Sequence, residues 1–132
     1  MQAVPVNPTE LKYSKYHEWA KVEGNKVILG ITDHAQESLG DIVFVELPEV
    51  GAAVKAGVPY GTVESVKAVS DIIASVNGTV IAVNEAVQDA PDLLNVDPYG
   101  EGWLIKVEAE DLAPLAGMMD FSEYEQFIKE VQ

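Results

Sequence analysis

Few residues in this chain are of types that do chemistry at neutral pH. The two histidines, His17 and His34, each have an acidic neighbour, Glu18 and Asp33. Residues adjacent on a strand point to opposite faces, so neither pair is a ready acid–base dyad. A metal site would need a third ligand and an orienting shell around it, and no spacing supplies them. Ser38 follows His34 by four residues, within reach on a helix. A nucleophile there would also require an oxyanion hole and an orienting acid. The sequence has no G-x-S-x-G, no phosphate-binding loop and no dinucleotide fingerprint. It has no cysteine, which removes thiol catalysis, thiolate ligands and disulfides. No catalytic or metal-binding residue is therefore assigned, and both histidines read as surface or packing residues.

Lys67 is different. It sits in VESVKAVSDI, residues 63 to 72, between small uncharged neighbours, in a β-like run bounded by Tyr60-Gly61 and Asn77-Gly78. Most lysines simply point to water. This one falls where one short strand should turn into the next. A type I turn over Ser65-Val66-Lys67-Ala68 fits residues that include neither glycine nor proline. An amine at such a tip is accessible from nearly every side, as a modifying enzyme requires.

The elements that would position it are mostly strands. Residues 1 to 10 read as a loose arm. WAKVEG and KVILGIT are strands joined at Gly24-Asn25, and their imperfect alternation predicts burial on both faces. DHAQESL, 33 to 39, reads as a short helix capped by Asp33, with Gln36 at the capping-box offset and Gly40 as its stop. DIVFVELP, YGTVESV, AVSDIIASV, GTVIAVNEAV and WLIKVEAE add further strands, and Asn77-Gly78 reads as a hairpin turn. QDAPDLLNVDPYGEG reads as a loop anchored by Leu93 and Leu94. Phe121, Tyr124, Ile128 and Val131 mark one face of a C-terminal helix over about 120–131, with Ser122 and Glu125 as a capping box. GTVESV and GTVIAV echo each other, as two related β-units would.

Composition excludes several partners. The chain has 132 residues, enough for a single domain with its own core. Its formal charge is −14 and every cation is a lysine. Such a field repels nucleic acid and anionic membrane, and without arginine there is no bidentate phosphate clamp. No apolar run approaches the roughly 20 residues of a membrane span, and no secretory or transit segment is visible. The acidity either serves solubility alone or steers the chain to basic partners.

VESVKAVSDI resembles the lipoyl-lysine hairpin of the glycine cleavage system H protein family. LKYSKYHEWAKVEG, ILGITDHAQESLGDIVFVELPEVG, NGTVIAVNEAV and NVDPYGEGWLIKV resemble that family too, in the same order. The likeness runs from about Leu11 to the C-terminal helix. Gly78, eleven residues beyond Lys67, fits the pattern shared by lipoyl and biotinyl domains.

The resemblance implies a mainly β barrel-sandwich hybrid of the lipoyl/biotinyl type, with the short helix near 33–39 and the C-terminal helix. It implies a non-catalytic carrier with lipoate joined covalently to Lys67. The arm would take an aminomethyl group from glycine decarboxylase (P protein) to aminomethyltransferase (T protein), and its dithiol to dihydrolipoamide dehydrogenase (L protein). Glu64, Val66 and Ala68 would present the lysine to a lipoate-attaching enzyme; the two apolar residues also suit strand packing. Glu18 and Asp71 match acidic residues of a cleft that shelters the loaded arm, although both also read as ordinary solvated acids. Tyr16 stands where relatives often carry a smaller or more polar side chain. Trp19, Trp103 and Tyr99 read as core and loop anchors. The expected location is the cytoplasm for a bacterial-type chain, or the mitochondrial matrix for a mature eukaryotic form. Alternatives are an H-like protein that relays lipoyl groups to other enzymes, a biotinyl or 2-oxoacid dehydrogenase lipoyl domain, and an unmodified β-protein. Biotinyl domains usually flank the lysine with methionines, and the dehydrogenase domains come with linkers; this sequence shows neither.

Overall fold

The computed structural model describes residues 8–131, the side chain of Val131 excepted. Nine strands form two sheets. They are β1 (Lys12–Tyr13), β2 (Glu18–Glu23), β3 (Lys26–Ile31), β4 (Ile42–Glu46), β5 (Ala53–Val54), β6 (Pro59–Ser65), β7 (Val69–Ile73), β8 (Gly78–Val83) and β9 (Ile105–Ala109). One sheet runs β1-β2-β3-β9-β8-β5 and the other β4-β6-β7. Every strand pair is antiparallel.

Imperfect alternation in β2 and β3 does reflect burial on both faces. Ala20, Val27 and Leu29 belong to a core with Val80, Ile105 and Val107. Trp19 and Ile28, one register step away, face the opposite side and pack with Leu11, Tyr13, Trp103 and Tyr124. Trp19 is fully buried and its indole N–H donates to Pro98 O at 3.0 Å. A Cβ at Gly30 would fall inside that ring, so glycine at this position makes the space for it. A third core joins the sheets, with Ile31 meeting Val45, Val63, Ile72 and Leu104.

The described residues also form four α-helices: α1 (Asp33–Leu39), α2 (Glu85–Asp89), α3 (Leu93–Val96) and α4 (Phe121–Val131). The α1 cap is Thr32, not Asp33: its buried Oγ1 accepts the Ala35 N–H at 3.1 Å. Gln36 instead donates to the Asp33 carboxylate at 2.8 Å. Gly40 ends the helix with φ +81°, and its N–H bonds Gln36 O. In α4 the capping box is Asp120 with Glu123, each carboxylate taking the other's backbone N–H at 2.8 and 3.0 Å. It replaces the expected Ser122 and Glu125 pair.

Two further expectations change. The segment read as a loop between 88 and 102 contains α3, with Leu94 fully buried; α2, just before it, was read as the end of a strand. Residues Pro8–Glu10 form a 3-10 helix, tied to the core by the Tyr13 hydroxyl on Pro8 O, while the rest of the expected arm lies outside the described residues.

Asn77-Gly78 is not a hairpin turn, because β7 and β8 lie in different sheets. Gly78 starts β8, and a Cβ there would collide with Glu108 O of β9. Gly61 stands in the same relation to Glu46 O of β4. In both copies of the echoed Gly-Thr-Val, the threonine pairs with the residue whose carbonyl fills the glycine's side-chain space: Thr62 with Glu46 and Thr79 with Glu108. The echo is thus a repeated close backbone approach.

Candidate functional site

Strands β6 and β7 form a hairpin, and Lys67 is at its tip. Lys67 is exposed, as are Glu64, Val66, Ala68 and Val69; Val66 is 70% exposed. Among the described residues, the Lys67 ammonium has no ion-pair partner. Its chain passes close to Gly40, where an added Cβ would meet Lys67 Cε at 3.5 Å. Glu64, Val66 and Ala68 thus lie exposed beside Lys67 on the same hairpin tip.

The tip is held by side-chain bonds where a plain type I turn was expected. Buried Ser65 places its Oγ between the Lys67 and Ala68 N–H groups at 3.2 and 3.0 Å. The hydroxyl thus takes the place of the carbonyl acceptor in a turn. Ser65 N–H in turn donates to Ala68 O at 2.7 Å. A second tie leaves the hairpin, as Val66 N–H donates to Asp41 O at 3.0 Å. That carbonyl belongs to the α1–β4 connection, which Asn95 of α3 holds on both sides: its amide donates to Gly40 O at 2.9 Å and its carbonyl accepts from Ile42 N–H at 3.0 Å.

The sequence reading places Ser65 in the turn without its side-chain role, and it does not single out Asn95. A serine three residues before an alanine is a visible turn signal, but nothing local marks Asn95, whose partner is 53 residues away.

The two acids of the expected cleft have contrasting settings. Asp71 is exposed on the outward face of β7. Glu18 is only 5% exposed, and its Oε2 accepts the Ile73 N–H at 2.7 Å, bridging the sheets. It is not a solvated acid. Burial pushes its pKa up to about 8, against the pull of the Ile73 hydrogen bond. Near it lies Tyr60, whose enclosed hydroxyl has no hydrogen-bond partner among the described residues. Burial, then the Glu18 charge, raises the Tyr60 pKa well above its ordinary value.

A groove of about 400 Å³ opens beside Ile73, walled also by Tyr13, Tyr16, Gly57, Ser75 and Met119. Glu18 meets its wall from within, through Ile73 N–H. Alternation along β7 sends Val69, Asp71 and Ile73 to one face, so this row leads from the lysine tip to the groove. At about 3.3 Å per residue, Val69 to Ile73 covers about 13 Å.

The histidines are packing residues. His17, at φ +64°, bonds the Tyr124 hydroxyl through Nδ1 at 2.8 Å, and that hydroxyl also meets Thr32 Oγ1 at 2.7 Å. The two imidazoles lie 4.6 Å apart. Burial, with His34 beside it, lowers the His17 pKa. The described residues contain no group of three or more His, Cys, Asp or Glu placed to hold a metal.

The family model for the glycine cleavage H-protein matches residues 11–131. A glycine cleavage system H protein of Bacillus licheniformis is 54% identical over 123 residues, 93% of this chain and 97% of that protein. One from Carboxydothermus hydrogenoformans is 55% identical over 125 residues, 95% and 96% of the two chains. The crystal structure of a glycine cleavage system H protein from Mycobacterium marinum superposes with a TM-score of 0.86 at 41% identity, covering 93% of this chain and 99% of that one. The chain belongs to the glycine cleavage H-protein family.

Proposed function

We propose that Lys67 is the lysine through which this chain works as a carrier. Family membership makes it a non-catalytic, lipoyl-bearing shuttle of the glycine cleavage system. The observation that supports Lys67 is its exposed amine on a fastened turn, without a carboxylate to hold it. Such an amine fits lipoate attachment. Unprotonated Nζ attacks the carbonyl carbon of an activated lipoyl donor, the bond to the activating group breaks, the amide C–N bond forms, and an N–H proton leaves. Glu64, Val66 and Ala68 flank the lysine on the exposed tip, and Ser65 keeps its backbone in place.

When attached, lipoate supplies the dithiolane that receives the aminomethyl group and electrons. The chain contributes tethering, which raises the effective concentration at each partner's site. Val69, Asp71 and Ile73 line a path to the groove, and about 13 Å is a distance an extended lysyl-lipoyl arm covers. Glu18, neutral while buried and alone, ionises when an amine cation approaches, because an opposite charge lowers its pKa. It then holds that cation by a charge-assisted hydrogen bond. Tyr16 narrows the groove mouth with a bulky ring. The partners are the P, T and L proteins and a lipoate-attaching enzyme.

The test is intact-mass and peptide mass measurement on protein from cells supplied with lipoate, for the wild type and Lys67→Arg. The wild type should carry one lipoyl increment, on Lys67. The variant should carry none, keep its fold and lose arm-dependent glycine decarboxylation. A lipoyl increment elsewhere, or retained decarboxylation in the variant, refutes the assignment.

A further inference from the structure

The three-stranded sheet has an outer face that none of the three cores covers. Register and burial assign it. One cross-strand row is Phe44–Glu64–Val69 and the next is Glu46–Thr62–Asp71. The inner row between them, Val45–Val63, is buried. The six outward positions carry three carboxylates, one phenyl ring and no cation. Phe44 is 52% exposed, and Val43 beside it, at the bulge of β4, is also 52% exposed. With Val66 they give an apolar strip next to Lys67, rimmed by Asp41, Glu46 and Glu64, all exposed. A solvated phenylalanine within a ring of acids is the form of an interface core with a charged rim.

We propose that Phe44 and Glu46, on β4, form the docking site for the enzyme that acylates Lys67. This rests on the reading of Lys67 as the attachment lysine. Its argument is reach. An enzyme that acts at the end of a finished arm works an arm's length from the turn. The enzyme that makes the amide has no arm to use. It must bring an acyl carbonyl to bonding distance of Nζ, and so it covers the surface around the turn. The β7 edge of that surface is the row leading to the groove, while Phe44 and Glu46 lie on the opposite edge strand, off that row. Its charge defines the partner's face: an apolar recess for Phe44, flanked by lysine or arginine that meets Glu46, Glu64 and Asp41. Rim charges of this kind set association rate and its salt dependence, and the buried ring sets residence time.

The test uses the complete apo chain as substrate for a purified ATP-dependent lipoate-attaching enzyme, with lipoyl-Lys67 counted by mass. Phe44→Ser should raise the KM for the chain about tenfold, as truncating a hot-spot aromatic does, with kcat little changed. Glu46→Lys should raise KM in the same direction and flatten the rise of KM with salt seen in the wild type. Glu46→Gln, the mildest change, repeats that test should either variant melt early. Val22→Ser, at a 42% exposed position on β2 of the other sheet, serves as the remote control and should leave KM unchanged. Unchanged KM in Phe44→Ser and Glu46→Lys overturns the docking site while Lys67 stands. A wild type that gains no lipoyl mass on Lys67 overturns both.

Discussion

Lys67 and Glu18 are ionisable residues at the edges of strands, yet they live in opposite media. The lysine extends from a two-stranded tip into water, without an ion pair among the described residues. The glutamate is enclosed between sheets, hydrogen-bonded to Ile73 N–H and near an orphan phenol. Neither group has an ion-pair partner among the described residues, but only the glutamate is withdrawn from water. Exposure leaves the lysine open to the attaching enzyme proposed for it. Burial makes the glutamate a proton-holding group whose charge depends on what comes near it. The difference comes from tertiary coverage and not from residue type.

Replacing the buried member should give the larger stability effect. The folded pKa of Glu18, about 8, lies above its ordinary value of 4.5. The native state therefore holds a proton that the unfolded chain has released. The associated stability is fully present below pH 4.5 and is lost as pH rises through about 8. Wild-type stability from Glu18 should fall by a few kcal/mol, order of magnitude, between those limits, at 1.36 kcal/mol per pKa unit. Glu18→Gln removes this slope, so the difference between the two chemical denaturation curves should shrink toward low pH. A pH-independent difference would contradict a buried, protonated carboxyl.

The exposed member should respond to its fastening. Ser65→Ala deprives two tip N–H groups of their acceptor. Loss of about 1–2 kcal/mol is expected by urea denaturation, together with slower lipoylation of a less ordered lysine. Ser65→Thr, which keeps a hydroxyl, should recover part of both. The smallest effect belongs to Tyr60→Phe, since the hydroxyl removed has no partner. Stability should be unchanged or rise by about 1 kcal/mol, because an unsatisfied buried polar group is taken away. A marked loss would reveal a hydrogen bond at that hydroxyl in solution.

How much of this was legible in sequence depended on the range of the determining contact. The doubly buried strands β2 and β3 were readable from apolar density alone. The helix caps were displaced by one or two residues, because Thr32, Asp33, Asp120 and Ser122 are all competent cap types and local sequence does not choose among them. Asn77-Gly78 misled because glycine serves two purposes, a turn or a close backbone approach, and the second is invisible until the neighbouring strand is in place. The exposed position of Lys67 at a hairpin tip was legible because the strands that carry it are contiguous in sequence. The burial of Glu18 was not, since Ile73 is 55 residues away. Nor were the Asn95 clamp and the outward register of Phe44, which depend on pairing across the fold.

The clamp has a mechanical consequence. With Val66 fastened to Asp41 and Asp41 to the Asn95-bound connection, the peptide at the tip is part of the rigid body. Whatever swings from it pivots on the side-chain torsions of Lys67, not on a bending ribbon. The volume swept is then a cap of a sphere centred on a stationary point, the same for every visiting enzyme.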